Sequence, residues 1–523
     1  MTRMRRLLAW GAFTLVLAIV SGILLADHLT PAATGAPSHV LPVQAAQTAL
    51  DRELVPLLAR HPGQTGALMV PDGLDAFAAR ALSARSAGRS LDLQYYIWHD
   101  DLTGRLLGRE AYQAAQRGVR VRMLLDDMNA EGLDTKLLLL DAHPNIEIRL
   151  YNPFRNRNGL WRVLEMVQRV FSVNHRMHNK AWIADGRVAV VGGRNIGAEY
   201  FDAGDEVNFR DLDLLLFGPA VAQASAIFDD YWNSAAAVPL STLARRSSRA
   251  LEEVQADIRV EAASPEAQRY LQRVDASPNV RAYLGKELDP FWSSRIRVVA
   301  DPPLKWKQDD RRQWLANQLE RTMGKAHHKA LLISPYFVPG QALAAQLGEL
   351  VREGVQVGVI TNSLAANDVI AVHGGYGNYR RRLLRDGVQL YEIRAEARPP
   401  HGDGHATSLF GSSGASLHTK AFVIDDRHGF VGSYNLDPRS TDLNTEMGVL
   451  FDDPRMAAAL RDEYLRLASP ELSFWVLLDD DGEVRWLDRA RQPPLLLQHE
   501  PDTSVVQRAI ARVIGWLPIE SQL

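Results

Sequence analysis

Met177-His178-Asn179-Lys180-Ala181-Trp182-Ile183-Ala184-Asp185 returns, 240 positions later, as Leu417-His418-Thr419-Lys420-Ala421-Phe422-Val423-Ile424-Asp425. Each copy reads as a strand, with the histidine and lysine two apart on one face. Each runs into a hairpin signal, Asp185-Gly186 or Asp425-Asp426. Each then continues through an apolar run to Gly192-Gly193-Arg194-Asn195 or Gly432-Ser433-Tyr434-Asn435. An acidic residue follows eight positions before a proline, Asp211 before Pro219 and Glu446 before Pro454.

The repeat extends upstream. Leu91–Trp98 resembles Leu331–Val338, and Arg117-Gly118-Val119-Arg120-Val121 resembles Glu353-Gly354-Val355-Gln356-Val357. In the first copy a strand at Leu91–Trp98 precedes a helical stretch from Gly104 to Gly118. A second strand, Val119–Leu125, ends at Asp126-Asp127. Strand–helix–strand order predicts an α/β layered fold. Two copies of this length are too large and too few for a solenoid. They predict two similar α-β-α halves about a pseudo-twofold axis, with the repeated motifs meeting at one site.

The expected layout is a membrane anchor at 1–28, a linker at 29–50, a first half at 51–240, a connecting segment at 241–325, a second half at 326–470 and an extension at 471–523. The stretch Arg245–Lys307 is polar and helical, with few strand signals. At the N-terminus Arg3, Arg5 and Arg6 precede an uncharged run from Leu7 to Ala26. As a helix, that run would be about 30 Å long, the thickness of a bilayer core. It is longer than the apolar part of a signal peptide, and no clean Ala-x-Ala site directly follows it. The next Lys or Arg is Arg52. The positive-inside rule then predicts a single-pass anchor, N-terminus in the cytoplasm and body outside it, in the periplasm.

The recurrence of His, Lys, Asp, Gly and Asn in one register argues against two ordinary core histidines. Two facing imidazoles can divide the work of displacement at phosphorus, one attacking and one protonating the leaving oxygen. Lys180, Lys420, Asn195 and Asn435 would supply donors to the non-bridging oxygens. Asp211 and Glu446 are placed to accept from the second nitrogen of a histidine. Asp185 and Asp425, at the turns, are read mainly as supporting residues. Positive charge is already present, so neither metal nor cofactor is expected.

This constellation resembles the phospholipase D superfamily, whose signature His-x-Lys-x4-Asp then Gly-(Gly/Ser)-x-Asn stands twice here. The resemblance implies catalytic roles for His178, Lys180, Asp185, His418, Lys420 and Asp425, a phosphohistidine intermediate and no metal. It also implies that His178 is the nucleophile and His418 the acid/base. The segments Leu93–Trp98, Arg176–Lys180, Thr361–Asp368, Asp437–Thr441 and Leu443–Gly448 are similar to the C-type bacterial cardiolipin synthases. That family implies phosphatidyl transfer onto phosphatidylglycerol. Its phosphatidyl donor is phosphatidylethanolamine or a second phosphatidylglycerol. It also implies phospholipid substrates and a place at the bacterial inner membrane.

Composition narrows the alternatives. The 523 residues suffice for about two to four globular units. The absence of cysteine excludes disulfides, thiol nucleophiles and thiolate metal sites. A net charge of -3 argues against a nucleic-acid partner and so against a nuclease of the same superfamily. Weaker candidates are Asn362, Asn367, Asp368 and His373 after a strand end, the vicinal His327-His328, and the basic stretch Arg380–Arg385. Val505–Leu517 has apolar residues at helical spacing; packing on the body is expected of it rather than a membrane role.

Overall fold

The computed structural model describes residues 35–130, 133–154, 165, 174–205, 207–243, 263–284, 287, 289–395 and 417–523, with scattered positions between 10 and 22. Two mixed sheets carry the body. The first holds β1 (Thr65–Val70), β2 (Ser90–Tyr95), β3 (Arg120–Asp126), β4 (Ile146–Tyr151), β5 (Ala181–Ala184), β6 (Val188–Gly192), β7 (Asp213–Phe217), β8 (Ala237–Pro239) and β9 (Phe291–Ser293). The second holds β10 (Ile296–Ala300), β11 (Lys329–Ile333), β12 (Gln356–Asn362), β13 (Gln389–Ile393), β14 (Lys420–Ile424), β15 (His428–Gly432), β16 (Met447–Asp452), β17 (Ser473–Leu478), β18 (Val484–Asp488) and β19 (Leu495–Leu497).

The strand orders are β8-β4-β3-β2-β5-β6-β7-β1-β9 and β10-β16-β15-β14-β11-β12-β13-β17-β18-β19. Within them β4-β3-β2-β5-β6-β7-β1 and β13-β12-β11-β14-β15-β16-β10 are the same order. The parallel strands β2–β3 and β11–β12 need crossovers, which the helices Leu102–Gln116 and Gly340–Arg352 supply. The hairpins β5–β6 and β14–β15 turn at Asp185-Gly186 and Asp425-Asp426, all four with positive φ. That backbone matches the twist of a tight hairpin.

The two expected halves are present, but their borders differ from those read from the sequence. The connecting segment at 241–325 contributes β9 to the first sheet and β10 to the second. Since β10 pairs with β16 as β1 pairs with β7, the second half begins well before residue 326. Ile296-Arg297-Val298 alternates buried and exposed, a short edge-strand pattern that is weak in sequence. The C-terminal extension likewise adds β17–β19 to the second sheet. The linker is partly docked, with Val40 N donating to Asp229 (2.7 Å) and Arg122 donating to Ser38 O (2.8 Å).

One apolar core is shared between the halves. It joins Ile183, Val191, Leu214 and Phe228 to Val423, Val431, Val449 and Leu460. The helices Pro219–Trp232 and Pro454–Leu467 supply part of it from each side. The expected anchor, Leu7–Ala26, lies largely outside the described residues. Among the described residues, no helix is long and apolar enough to cross a membrane.

Candidate active site

Backbone pairing brings the two motifs together. His178 N donates to Thr445 O (2.9 Å), and Thr445 N returns the bond to Arg176 O (2.9 Å). His418 N donates to Arg210 O (2.7 Å), and Thr419 N adds a second bond to the same oxygen (3.1 Å). Two short parallel bridges therefore stitch the segment before each histidine to the segment before the other half's acid.

The side chains repeat the exchange. His178 Nδ1 donates to Glu446 Oε2 at 2.8 Å, and His418 Nδ1 donates to Asp211 Oδ2 at 2.5 Å. An Nδ1–H held by a carboxylate leaves the Nε2 lone pair available. Each imidazole is thus oriented by an acid from the opposite half. Asp126, ending β3, holds the backbone before His178 by accepting from Met177 N (2.8 Å). Asn362, ending β12, does the same for Leu417 N (2.9 Å). These equivalent strand-end residues position the histidine segments.

Lys180 and Lys420 are buried, and each Nζ donates to the carbonyl of its own histidine, at 2.6 Å in both cases. Other N–H bonds of each ammonium remain for a ligand. Burial pulls Lys420 down to about 8, against the nearby carboxylates of Asp211 and Glu446. Burial likewise pulls Lys180 well below the usual lysine range. Both histidines are held well below their ordinary value, by burial and then by the two lysines. The same burial lifts Asp211 and pushes Glu446 up to about 7. The pocket thus favours neutral groups until an anionic phosphodiester enters and compensates the positive charge.

The halves differ around this common plan. Glu446 accepts from Ser433 Oγ (2.5 Å) and Ser440 Oγ (2.9 Å), and its own N–H is held by Asp301. Asp301 is in turn paired with the buried Lys305 (3.0 Å). At the position matching Ser433 the first half has Gly193, where a Cβ would stand 2.3 Å from Asp211 Oδ1. His418 is flanked by Tyr200 and Phe209, with ring centres 5.2 and 5.3 Å away, and His178 by Tyr96 at 5.0 Å. Arg194, fully buried, binds the Asp211 carbonyl (2.7 Å). Sequence alone assigns no role to Arg194, which fills the variable position of the signature and is matched by Tyr434 in the second copy, nor to Ser440, Asp301 and Lys305, which the two copies do not share.

Asn195 accepts from Ile97 N (3.2 Å) and donates to Tyr200 OH (2.9 Å), which ties its amide into the first half. Asn435 is buried, and its Oδ1 has no partner among the described residues. Asp185 and Asp425 sit at the far ends of β5 and β14. Asp185 accepts from the backbone of Gly88, Arg89 and Ser90, and Asp425 from that of His327, His328 and Lys329. Both therefore clamp the start of the neighbouring strand. Asp368 accepts from Tyr336 OH (2.8 Å). His373 lies in a separate ion cluster with Arg380 and Glu500. Arg381 is paired with Glu483. His99, Asp101 and Glu199 also gather three possible ligand atoms. There Asp101 caps the helix Leu102–Gln116 and Glu199 binds His99, so both acids already have structural partners.

Comparison with known proteins agrees with this geometry. The family described as cardiolipin synthase, phospholipase D-like domain, matches residues 83–232 and again 319–468. Cardiolipin synthase C of Escherichia coli is 42% identical over 471 residues, covering 89% of this chain and 98% of its own. Cardiolipin synthase 1 of Bacillus cereus is 25% identical over 76% of this chain and 66% of its own. Phosphatidylserine synthase of Haemophilus influenzae shares the fold, with a TM-score of 0.57 at 15% identity over 88% of this chain and 95% of its own. With two matched domains whose histidines converge on one pocket, the chain belongs to the cardiolipin synthase family of phospholipase D-like enzymes.

Proposed function

We propose that this enzyme transfers a phosphatidyl group onto phosphatidylglycerol to form cardiolipin, with phosphatidylethanolamine or a second phosphatidylglycerol as donor. The observation that carries the reading is the pair of crossed histidine–carboxylate hydrogen bonds, 2.8 and 2.5 Å long. His178 Nε2 attacks phosphorus, the P–N bond forms, and the P–O bond to the departing headgroup alcohol breaks. His418 carries a proton on Nε2 in the substrate complex, where the phosphodiester's negative charge favours the imidazolium, and delivers that proton to the alcohol. The acceptor hydroxyl then gives its proton to His418 and displaces the His178 nitrogen from phosphorus. Lys180 and Lys420 face the non-bridging oxygens, and an electrostatic donor of this kind is worth about 2.7–4 kcal/mol in the transition state.

Transfer is preferred to hydrolysis on the 42% identity to a cardiolipin synthase, and the low exposure of His178 and His418, 7% and 6%, suits a phosphohistidine shielded from bulk water. Water and a lipid hydroxyl compete for one phosphohistidine, and a closed pocket disfavours water. We further propose that Leu7–Ala26 is a single-pass anchor in the bacterial inner membrane, with the body on the periplasmic side.

Labelled phosphatidylglycerol, supplied with and without phosphatidylethanolamine, tests the reaction. Cardiolipin that forms with the wild type and vanishes in both His178→Ala and His418→Ala is the expected result. Phosphatidic acid as the sole product would convert the reading to hydrolysis, and degraded DNA with untouched lipid would overturn it. Protease added to spheroplasts should digest the body; protection would reverse the topology.

A further inference from the structure

The helix Val505–Gly515 is mounted with its apolar face outward. Val505, Val506, Ala509 and Val513 share one face by their spacing, and Trp516 and Leu517 extend it past the helix end. Val505 is 72% exposed, Val506 57%, Val513 55%, Trp516 76% and Leu517 49%. A helix on the surface of a globular protein normally turns such a face to the core. A contiguous apolar surface of this kind marks an interaction site.

The helix cannot rotate to hide the face, because its opposite side is fitted closely to the body. Gly515 meets Gly374 of the helix Ile370–Arg385 so tightly that a Cβ on Gly374 would lie 2.6 Å from Ala511 O. Ala511 is buried there, and Asn378 donates to Gly515 O at 2.8 Å. The sequence sets packing on the body against a place on the membrane surface; the helix packs on the body through Ala511 and Gly515 and leaves its apolar side outward.

We propose that this face docks on the surface of a phospholipid bilayer. Three observations favour lipid over other occupants. Arg512 lies within the exposed face and has no partner among the described residues, so its guanidinium is free for a lipid phosphate while its stem runs along apolar surface. Trp516, the most exposed of these side chains, belongs to the residue type that settles at the headgroup level. The segment beyond the helix also leads to the catalytic pocket. Glu520 accepts from Tyr379 OH (2.6 Å), Gln522 accepts from Asn174 (2.7 Å), and Leu523 O accepts from Arg439 N (2.8 Å). The charge of Arg439 is among those that act on His178. The tail that follows this face is thus tied to Arg439 and Asn174, near the catalytic histidine segment, which suits an enzyme that takes its lipid from the same bilayer. The inference rests on a phospholipid substrate and not on which histidine attacks.

The chain has no cysteine, so a single introduced one can be labelled uniquely. In the full-length protein, V513C carrying an environment-sensitive fluorophore is mixed with vesicles of phosphatidylglycerol and phosphatidylethanolamine. Its emission should shift to the blue and be quenched by nitroxide-bearing lipid. The same label at L465C, exposed on the helix Pro454–Leu467, should do neither. The doubly substituted V506D/V513D should lose roughly tenfold or more in turnover on vesicles, as expected when two valines fail to reach an apolar phase. It should stay within about twofold of wild type on a short-chain monomeric phospholipid. A 513 label that remains in water on vesicle-bound protein overturns the proposal. So does a blue shift that grows with protein concentration without lipid, which would assign the face to a second copy of the chain. The fluorescence signal needs no turnover, so a failure of the proposed reaction is read separately in the activity of the wild type.

Discussion

Glu446 of the second half orients His178 of the first, through a 2.8 Å hydrogen bond. Asp211 does the same for His418 in the opposite direction. Neither half is complete alone, and the shared core between them is part of the catalytic geometry.

Glu446→Gln and Asp211→Asn should therefore each cut kcat while leaving the fold intact. An amide can present its N–H to Nδ1 and select the wrong tautomer, an error that costs about 10⁴-fold in a Ser-His-Asp triad. We expect a loss of roughly 10²–10⁴-fold here, with the thermal midpoint lowered by no more than a few degrees. Unchanged turnover in both variants would remove the orienting role.

The lysines set the alkaline limit. Burial lowers Lys420 to about 8, and Lys180 also lies well below its ordinary range. As pH rises through that value the free enzyme loses the charge that receives the phosphate, so kcat/KM should fall at or below pH of about 8. A bound anion favours the ammonium, so the limb in kcat should stand at higher pH than the limb in kcat/KM. A kcat/KM profile flat to pH 10 would show that neither lysine is needed in its charged form.

The Gly193 and Ser433 positions should respond differently despite their equivalence in the repeat. Gly193→Ala drives a methyl to within 2.3 Å of an Asp211 oxygen, in contact with the carboxylate that holds His418. Ser433→Ala removes one hydrogen bond to Glu446 and leaves the one from Ser440. We expect the alanine at 193 to reduce kcat by roughly 10²-fold or more and the alanine at 433 by roughly tenfold, a single charged hydrogen bond being worth about 1.5–3 kcal/mol. Steady-state kinetics on the two purified variants checks the order, and the reverse order would sink the argument.

The repeat made most of this site legible in the sequence. Both histidines and both lysines recur 240 residues apart, both acids stand eight residues before a proline, and an α/β fold of two halves follows from the strand–helix–strand order around them. The exchange of acids between halves could not be read, because a repeat records equivalence and not which copy each side chain reaches toward. Arg194 and Ser440 stand where the two copies carry different residues, so the repeat does not mark them, and Asp301 reaches Glu446 from 145 residues away. The strands β9 and β10 were missed for a different reason. They are short edge strands that border two sheets and carry little hydrophobic pattern of their own.

The turn aspartates separate stability from chemistry. Asp185 is fully buried and takes three backbone N–H groups, from Gly88, Arg89 and Ser90, that would otherwise lack partners. Asp425 repeats the arrangement one half later with His327, His328 and Lys329. Each lies a strand's length from its histidine, so neither reaches a phosphate bound between the imidazoles. Asp185→Ala should destabilise the protein by about 3 kcal/mol, the cost expected for stranding buried donors. At a temperature where the variant remains folded, kcat should stay within about threefold of wild type, since a change of 1.4 kcal/mol in the barrier would already give tenfold. Thermal unfolding followed by circular dichroism, paired with turnover at low temperature, distinguishes the two roles. A loss of kcat comparable to that of His178→Ala, with an unchanged melting temperature, would return Asp185 to the catalytic machinery.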